Sequence, residues 1–305
     1  MEMQQVRYFL AVTRTFNFTR GAEECNVTQP ALTRAIKQLE EELGGELIRR
    51  EGRNSHLTPL GERMRPLLQQ CYESATTAKK LACRIKNGEV SALSLAISWT
   101  VSVDYLMPQL DKLQSMYPGI RIKLRRGTER EISQMLRDGD ADLAISGPLD
   151  ESWDRLETWP MFTEAFDLVV GTEHQLARHN DADVSITMVR DSRFLSYTGI
   201  DYDKFEVSTL DELGIDAEAA HRVDCARDLE TLVAANFGVT LMPKSTLTSS
   251  RVRHITLCHT PAGIDLRRTV AIYSVAGRPR SREAGVFLNL VRSTDWPRVI
   301  ASKLL

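Results

Sequence analysis

The run from Thr28 to Leu43, Thr-Gln-Pro-Ala-Leu-Thr-Arg-Ala-Ile-Lys-Gln-Leu-Glu-Glu-Glu-Leu, constrains this chain more than any other stretch. Its apolar residues fall at Leu32, Ile36, Leu39 and Leu43. Spacings of four, three and four lay one buried stripe along a helix from about Gln29 to about Leu43. Thr28 is expected to cap that helix, because its hydroxyl can accept from a free backbone N–H of the first turn. Pro30 sits in the same turn, where a missing N–H costs nothing. A shorter helix precedes it across a tight turn, with Thr19 as the expected cap and Phe18 as a hydrophobic plug. After Gly44-Gly45 comes a basic loop, Arg49-Arg50-Glu51-Gly52-Arg53.

The face opposite the stripe carries Gln29, Ala31, Thr33, Arg34 and Lys37. Gln pairs bidentately with adenine and Arg with guanine, while Ala or a Thr methyl meets the thymine methyl. A helix laid in a major groove with its N-terminal end toward the bases presents these groups first. The bland alternative is an amphipathic helix with an ordinary solvated face, and charge alone favours it. Residues 1–58 hold eight basic and eight acidic side chains. Any DNA footprint must lie in placement: bases at the helix start and in the loop, acids at the helix end.

Tyr8-Phe9, Phe16 to Ala22, Val27 to Arg34, Ile36, Leu39-Glu40, Leu43-Gly44, Leu47, Arg50, Gly52-Arg53, Leu57-Thr58 and Gly61 together resemble the winged helix-turn-helix of LysR-type transcriptional regulators. The likeness is dense over roughly the first sixty residues, far longer than a short motif. Gly21 and Cys25 stand where the family usually has Ala and Leu, and Ile48 where it usually has Phe. All three are core-type exchanges. The resemblance implies that Gln29, Pro30, Ala31, Thr33 and Arg34 line the recognition helix, and Thr28 before it and Lys37 on the same face join them as expected DNA-binding residues. It also implies that Arg50 and Arg53 belong to a wing touching phosphate and minor groove.

Around this motif, Gln4 to Thr15 reads as a supporting first helix and Ile48 to Leu57 as the wing. One long helix is expected from Thr58 to Asn87, capped by Thr58, begun by Pro59 and stopped at Asn87-Gly88. Leu60, Met64, Leu67, Leu68, Cys71, Ala75, Ala78, Leu81, Ala82 and Ile85 form a continuous seam along it. About 29 residues give a rod on the order of 45 Å. Such a rod cannot bury its seam on one small domain, and pairing with a second copy solves this. Lying on the chain's own second domain is the alternative.

From Ser91 the period changes. Strands at Ser91–Ile97, Ile120–Leu124 and Ala141–Ile145 alternate with helices at Val101–Met116, restarted at Pro108, and Thr128–Arg137. That order implies a parallel sheet with crossover helices. Strands at Phe166–Val170, Phe194–Tyr197, Val239–Met242 and Thr269–Tyr273, with helices at Asp228–Asn236 and Ser281–Arg292, make a second α/β set. Two lobes imply a cleft, with ligand at the carboxyl ends of strands and helix N-termini. That rule points to Ser98, Trp99, Thr100, Thr128, Gly147, Pro148, Tyr197 and Thr198, residues that elsewhere serve simply as caps and turns. Residues 91–300 resemble the LysR-type effector domain, which is like periplasmic binding proteins. That likeness implies crossovers near Gly147–Met161 and Ile264–Thr269.

The expected architecture is therefore an α/β protein in three parts. A winged helix-turn-helix spans 1–58, a linker and dimerisation helix 59–88, and a two-lobed effector domain 89–305. Lobe I takes about 89–161 and 268–305, and lobe II about 162–267. At 305 residues, 42% hydrophobic and 26% charged, the chain is an ordinary globular one. A net charge of −2 excludes a basic nucleic-acid coat protein but not a specific reader. No apolar run approaches the roughly 20 residues of a membrane span, and the Met-Glu-Met-Gln-Gln start lacks a secretory signal. A cytoplasmic location follows as the expectation.

The expected partners are double-stranded promoter DNA, a small-molecule effector (an organic acid above all) and further copies of the chain as homodimer or homotetramer. RNA polymerase is a further partner that such a regulator can meet. No cofactor and no enzyme activity are expected, because no metal box, phosphate loop or nucleophile elbow is found. The six histidines lack ligand spacing. An enzyme with a DNA-binding appendage and a thiol-based redox sensor are the rival classes. The five cysteines are scattered, and only Cys225 with Cys258 offers a pairing for the redox reading.

Overall fold

The structure is a computed structural model. It describes residues 1–51, 54–86, 92–149, 153–179, 184, 188–189, 192–197, 215, 221–246, 250–256 and 266–301. The chain divides into two compact units, Met1–Gly88 and Glu89–Leu305.

The first unit opens with α1 (Met3–Thr15), α2 (Phe18–Cys25) and α3 (Gln29–Leu43). Phe16, Asn26 and Gly44 end these helices in the left-handed conformation. Phe9 and Val12 of α1, Ala22 and Cys25 of α2, and Leu32, Ile36 and Leu39 of α3 share one core. Gly21 lets α2 lie close against α1: an added Cβ would stand 3.0 Å from Val12 Cγ2. A hairpin follows, β1 (Ile48–Glu51) with β2 (Asn54–Leu57), pairing Ile48 with Leu57 and Arg50 with Ser55. Then comes α4 (Pro59–Lys86), 28 residues long. Thr58 caps it, its Oγ1 accepting from Gly61 N at 3.0 Å. Leu68 of α4 is buried against the three-helix core, whereas Leu67, Cys71, Ala75 and Ala78 are exposed.

Two sequence expectations are corrected here. Asn17, not Thr19, caps α2, its side chain accepting from Thr19 N and Arg20 N. Asn is at least as good a cap, and its two acceptor geometries serve both amides at once. Thr28 does occupy the cap position of α3, but its hydroxyl makes no capping bond. A cap side chain binds the second or third amide of the helix, and the second residue here is Pro30, which has none.

The second unit begins with β3 (Ala92–Ser98). A short 3₁₀ turn, Val103–Leu106, leads into α5 (Met107–Met116), followed by β4 (Arg121–Gly127), α6 (Glu129–Asp138) and β5 (Leu143–Ser146). β3 runs parallel to both β4 and β5, as strand–helix–strand alternation requires. Next are β6 (Leu156–Gly171), β7 (Leu195–Tyr197), β8 (His221–Val223), α7 (Ala226–Ala234), β9 (Thr240–Pro243), β10 (Val252–Ile255) and β11 (Arg267–Val275). α8 (Arg282–Arg292) and α9 (Trp296–Ala301) close the chain.

β6 and β11 tie the unit together. The first part of β6 pairs with β11, which also pairs with β5; the last part of β6 pairs with β9 and β10. One half has its core around Leu95, Ile97, Phe162 and Phe287, the other around Val170, Tyr197, Leu229 and Leu241. The sequence suggested a first connection at 147–161 and a separate strand at 166–170. Instead β6 is one strand of 16 residues. Pro160 hides this, since an internal Pro argues against a strand, and it is tolerated here beside an irregularity in the pairing. Among the described residues no helix is long and apolar enough to cross a membrane.

Candidate nucleic-acid interface and ligand cleft

In α3 the buried stripe and the open face separate as the spacing demands. Leu32, Ile36 and Leu39 are buried, while Thr28, Pro30, Ala31, Arg34 and Lys37 are exposed. Gln29 and Thr33 are half-buried, and Gln29 Nε2 donates to Thr33 Oγ1 at 3.3 Å. This bond stacks the two polar side chains along the helix start. Behind them, Glu40 Oε1 accepts from Leu47 N at 2.8 Å and from Ile48 N at 3.1 Å. A carboxylate near the end of α3 thus fixes the first strand of the hairpin. Arg50 lies on β1, and Arg53 falls outside the described residues.

In the second unit the carboxyl ends of β3, β4 and β5 meet the two crossing strands. Ser98 and Thr100 are fully buried, with their hydroxyls 3.0 Å apart. Ser98 Oγ also donates to Glu129 Oε1 at 3.5 Å. Gly147 is buried beside them, and a Cβ there would stand 3.5 Å from Arg268 Cδ and Nη1. Thr128 is taken up by a capping box with Glu131 at the start of α6. Trp99 is exposed, Pro148 lines a different pocket, and Thr198 lies outside the described residues.

The centre of this cluster is a pair that nothing in the sequence marks. Arg268 of β11 and Glu164 of β6 are both buried, with Arg268 Nε donating to Glu164 Oε1 at 2.9 Å. Arg268 Nη1 reaches Thr100 Oγ1 at 2.5 Å and Nη2 reaches the Thr100 carbonyl at 2.9 Å. Glu164 Oε2 accepts from Ser245 N at 2.9 Å, and Thr246 Oγ1 donates to the Thr100 carbonyl at 2.8 Å. Residues after β9 are thereby tied to residues after β3 through the crossing strands. Glu164 and Arg268 are 104 positions apart, so only the register of two strands brings them together.

Several buried polar groups here have no partner among the described residues: Ser146 Oγ, Ser245 Oγ and Tyr197 OH. Burial pushes the Tyr197 phenol up to about 12. Burial also pulls the Arg126 guanidinium below its ordinary value, although its Nη1 donates to the carbonyls of Ser98 and Val101 at 2.8 and 2.5 Å. Buried hydroxyls without partners are costly in a finished core and are expected where a ligand supplies the missing bonds. The cysteines divide differently: Cys25 is buried and its thiol pushed up by burial, while Cys71, Cys83 and Cys225 are exposed. Cys258 lies outside the described residues.

Comparison with known proteins follows the same division. Residues 3–62 match the family described as bacterial regulatory helix-turn-helix protein, lysR family, and residues 86–296 match the LysR substrate binding domain. The transcriptional dual regulator GltC of Bacillus subtilis is 26% identical over 292 residues, covering 95% of this chain and 96% of that protein. A hydrogen peroxide-inducible genes activator of Dickeya chrysanthemi is 25% identical, covering 92% of this chain and 91% of that protein. Among solved structures, HinK, a LysR family transcriptional regulator from Pseudomonas aeruginosa, aligns with a TM-score of 0.55 at 21% identity. That alignment covers 95% of this chain and 97% of HinK. CbnR complexed with its target DNA aligns with a TM-score of 0.51 at 20% identity, covering 96% of this chain and 99% of CbnR. The last two likenesses concern the fold. With both domain families matched in order along it, the chain belongs to the LysR family of bacterial helix-turn-helix regulators.

Proposed function

We propose that this regulator reads promoter DNA with the start of α3, grips phosphate with its hairpin, and is controlled by a small molecule bound between the halves of its second unit. The observation that carries the DNA reading is the division of α3: a buried stripe holds it, and Ala31, Arg34 and Lys37 stand open. Gln29, Ala31, Thr33 and Arg34 are assigned to base edges. Thr28, Pro30, Lys37, Arg50 and Arg53 are assigned to close backbone approach and phosphate. Residues 1–58 form the DNA-binding domain, 59–88 the dimerisation helix and 89–305 the regulatory domain. Within the last, 89–161 with 268–305 act as one lobe and 162–267 as the other. The exposed apolar side of α4 at Leu67, Cys71, Ala75 and Ala78 supports assembly as a homodimer or homotetramer. The protein works in the cytoplasm, as a regulator and not an enzyme, where RNA polymerase is a further partner.

The effector cleft rests on the buried hydroxyls of Ser98, Thr100, Ser146 and Ser245 near Arg268, with the buried Tyr197 hydroxyl within reach of the Arg126 and Glu129 charges. An organic acid fits this set, since hydroxyls and a guanidinium both stabilise a carboxylate in a dry site. Arg268 already holds Glu164, so such an acid must compete with that carboxylate and loosen the tie between the halves. Differential affinity for two arrangements is what a regulator needs in order to re-space its DNA-binding heads. Footprinting on the DNA upstream of its own gene, with and without candidate organic acids, tests both parts. An unchanged footprint with every acid would remove the effector class, and no footprint at all would remove the DNA reading.

A redox reading has one observation in its favour: Cys225 is exposed at the start of α7. A DNA footprint that responds to peroxide and loses that response when Cys225 and Cys258 are replaced would establish it; no response would remove it.

A further inference from the structure

A different pair of ligand-type side chains lies outside the cluster around Arg268. β10 is the end strand of its sheet among the described residues. It pairs with β6 so that His254 stands opposite Val169 and Ile255 opposite Leu168. Facing residues share a side, and side chains alternate along a strand. Asp167, Val169, His254 and Thr256 therefore share one side of the two strands. We propose that Asp167 and His254 bind a Zn²⁺ ion there, joined by the Thr256 hydroxyl.

The Asp167 side chain is 1% exposed and that of His254 21%. Asp167 Oδ1 accepts from Thr256 Oγ1 at 3.0 Å. Asp167 Oδ2 faces His254 Nδ1 at 3.5 Å, yet neither atom makes a hydrogen bond among the described residues, and both are shielded from solvent. A buried carboxylate oxygen facing a ring nitrogen calls for positive charge between them. A proton on the nitrogen would draw the two to about 2.7–2.9 Å, the length of a charge-assisted bond. A metal ion holds them further apart. Zinc bonds of about 2.1 Å in a tetrahedron put neighbouring ligand atoms about 3.4 Å apart. An octahedral ion at the same bond length would put them about 3.0 Å apart. The observed spacing is the tetrahedral one.

The chemistry of the pair agrees with its spacing. An imidazole and a carboxylate are zinc ligands, whereas Mg²⁺ and Ca²⁺ take sets of oxygens. Among the described residues no third His, Cys, Asp or Glu joins them, so water completes the shell beside Thr256. Structural zinc sites close with four protein ligands, and this open one holds an exchangeable ion. Thr256 is exposed and gives the ion a way in. Once bound, the ion ties the end strand to β6. Val169 and Val252, on the same side of these strands, pack with Leu229 and Val233 of α7, so that helix feels whether the ion is held.

The test is titration of the metal-free full chain with Co²⁺, which takes zinc sites and reports their geometry in its visible spectrum. A saturable tetrahedral absorption is expected, without a thiolate charge-transfer band, and Zn²⁺ should displace it. His254→Gln and Asp167→Asn should each weaken binding at least tenfold. Because Asp167 is buried, its variant can lose the fold. His254→Cys, at a partly exposed position, removes that ambiguity: it should keep the ion and add the thiolate band. No tetrahedral absorption in the unaltered chain, or unchanged binding in His254→Gln, would overturn the site. A thiolate band in the unaltered chain would assign the ion to the cysteines and overturn it as well.

Discussion

Arg268 and Glu164 stand directly opposite each other on the two strands that join the halves of the second unit, linked at 2.8 to 2.9 Å and shielded from water. A buried pair of this kind is worth little against an apolar replacement, but removing one partner strands a charge. Arg268→Met alone should therefore cost about 3–5 kcal/mol, and Arg268→Met with Glu164→Met should recover most of it. Urea unfolding of the two variants measures this. Equal loss in both would mean that the pair is not what holds the crossing.

Glu40 fixes the hairpin to α3 through two backbone amides. Glu40→Ala leaves those amides unsatisfied and should cost roughly 1.5–3 kcal/mol of stability, the range for bonds to a charged acceptor. DNA affinity should fall with little change in sequence preference, because the hairpin is freed while the start of α3 is intact. Binding curves on specific and scrambled duplexes would show both effects.

Arg34 and the hairpin arginines should separate in kind. Arg34→Ala is expected to lose discrimination between duplexes by roughly 1–3 kcal/mol, the worth of a bidentate base contact. Arg50→Ala and Arg53→Ala should weaken all duplexes alike and reduce the salt slope by about one each. Gel shifts across salt concentrations decide it; unchanged discrimination in Arg34→Ala would mean that α3 does not read bases.

Tyr197 carries an alkaline signature. Its phenol is raised to about 12 in the folded protein, against about 10 when unfolded. The folded state therefore holds its proton longer. The contribution is fully present below about pH 10 and is lost as pH rises through about 12, some 2–3 kcal/mol in all. Tyr197→Phe should flatten that loss and, by removing a buried hydroxyl without a partner, leave neutral-pH stability equal or higher. If the hydroxyl serves the effector, the same variant should respond more weakly to it. Unfolding across pH 9–12 checks the first point and footprinting the second.

The first unit was legible because its information is local. Leu32, Ile36 and Leu39 repeat at helical spacing, Pro59 and Thr58 mark a helix start, and Arg34 lies on the opposite face by geometry alone. Even there, the capping role of Asn17 and the idle hydroxyl of Thr28 depended on which amides were free. In the second unit the alternation of strand and helix was readable, and it correctly located Ser98, Thr100 and Gly147 at strand ends. Thr128 turned inward on its own helix cap, and Pro148 went to another pocket. Neither outcome follows from being a small or polar residue near a strand.

By itself the amino-acid order determined the helix periods, the parallel strands and the family, since each depends on neighbours within a few positions. Only tertiary structure decided the continuous course of β6 past Pro160, the meeting of Glu164 with Arg268, and the exclusion of water around Asp167 and Tyr197. Those properties belong to strand register and burial, which are set by segments far apart in the chain, 104 positions for Glu164 and Arg268, and leave no mark on either segment alone.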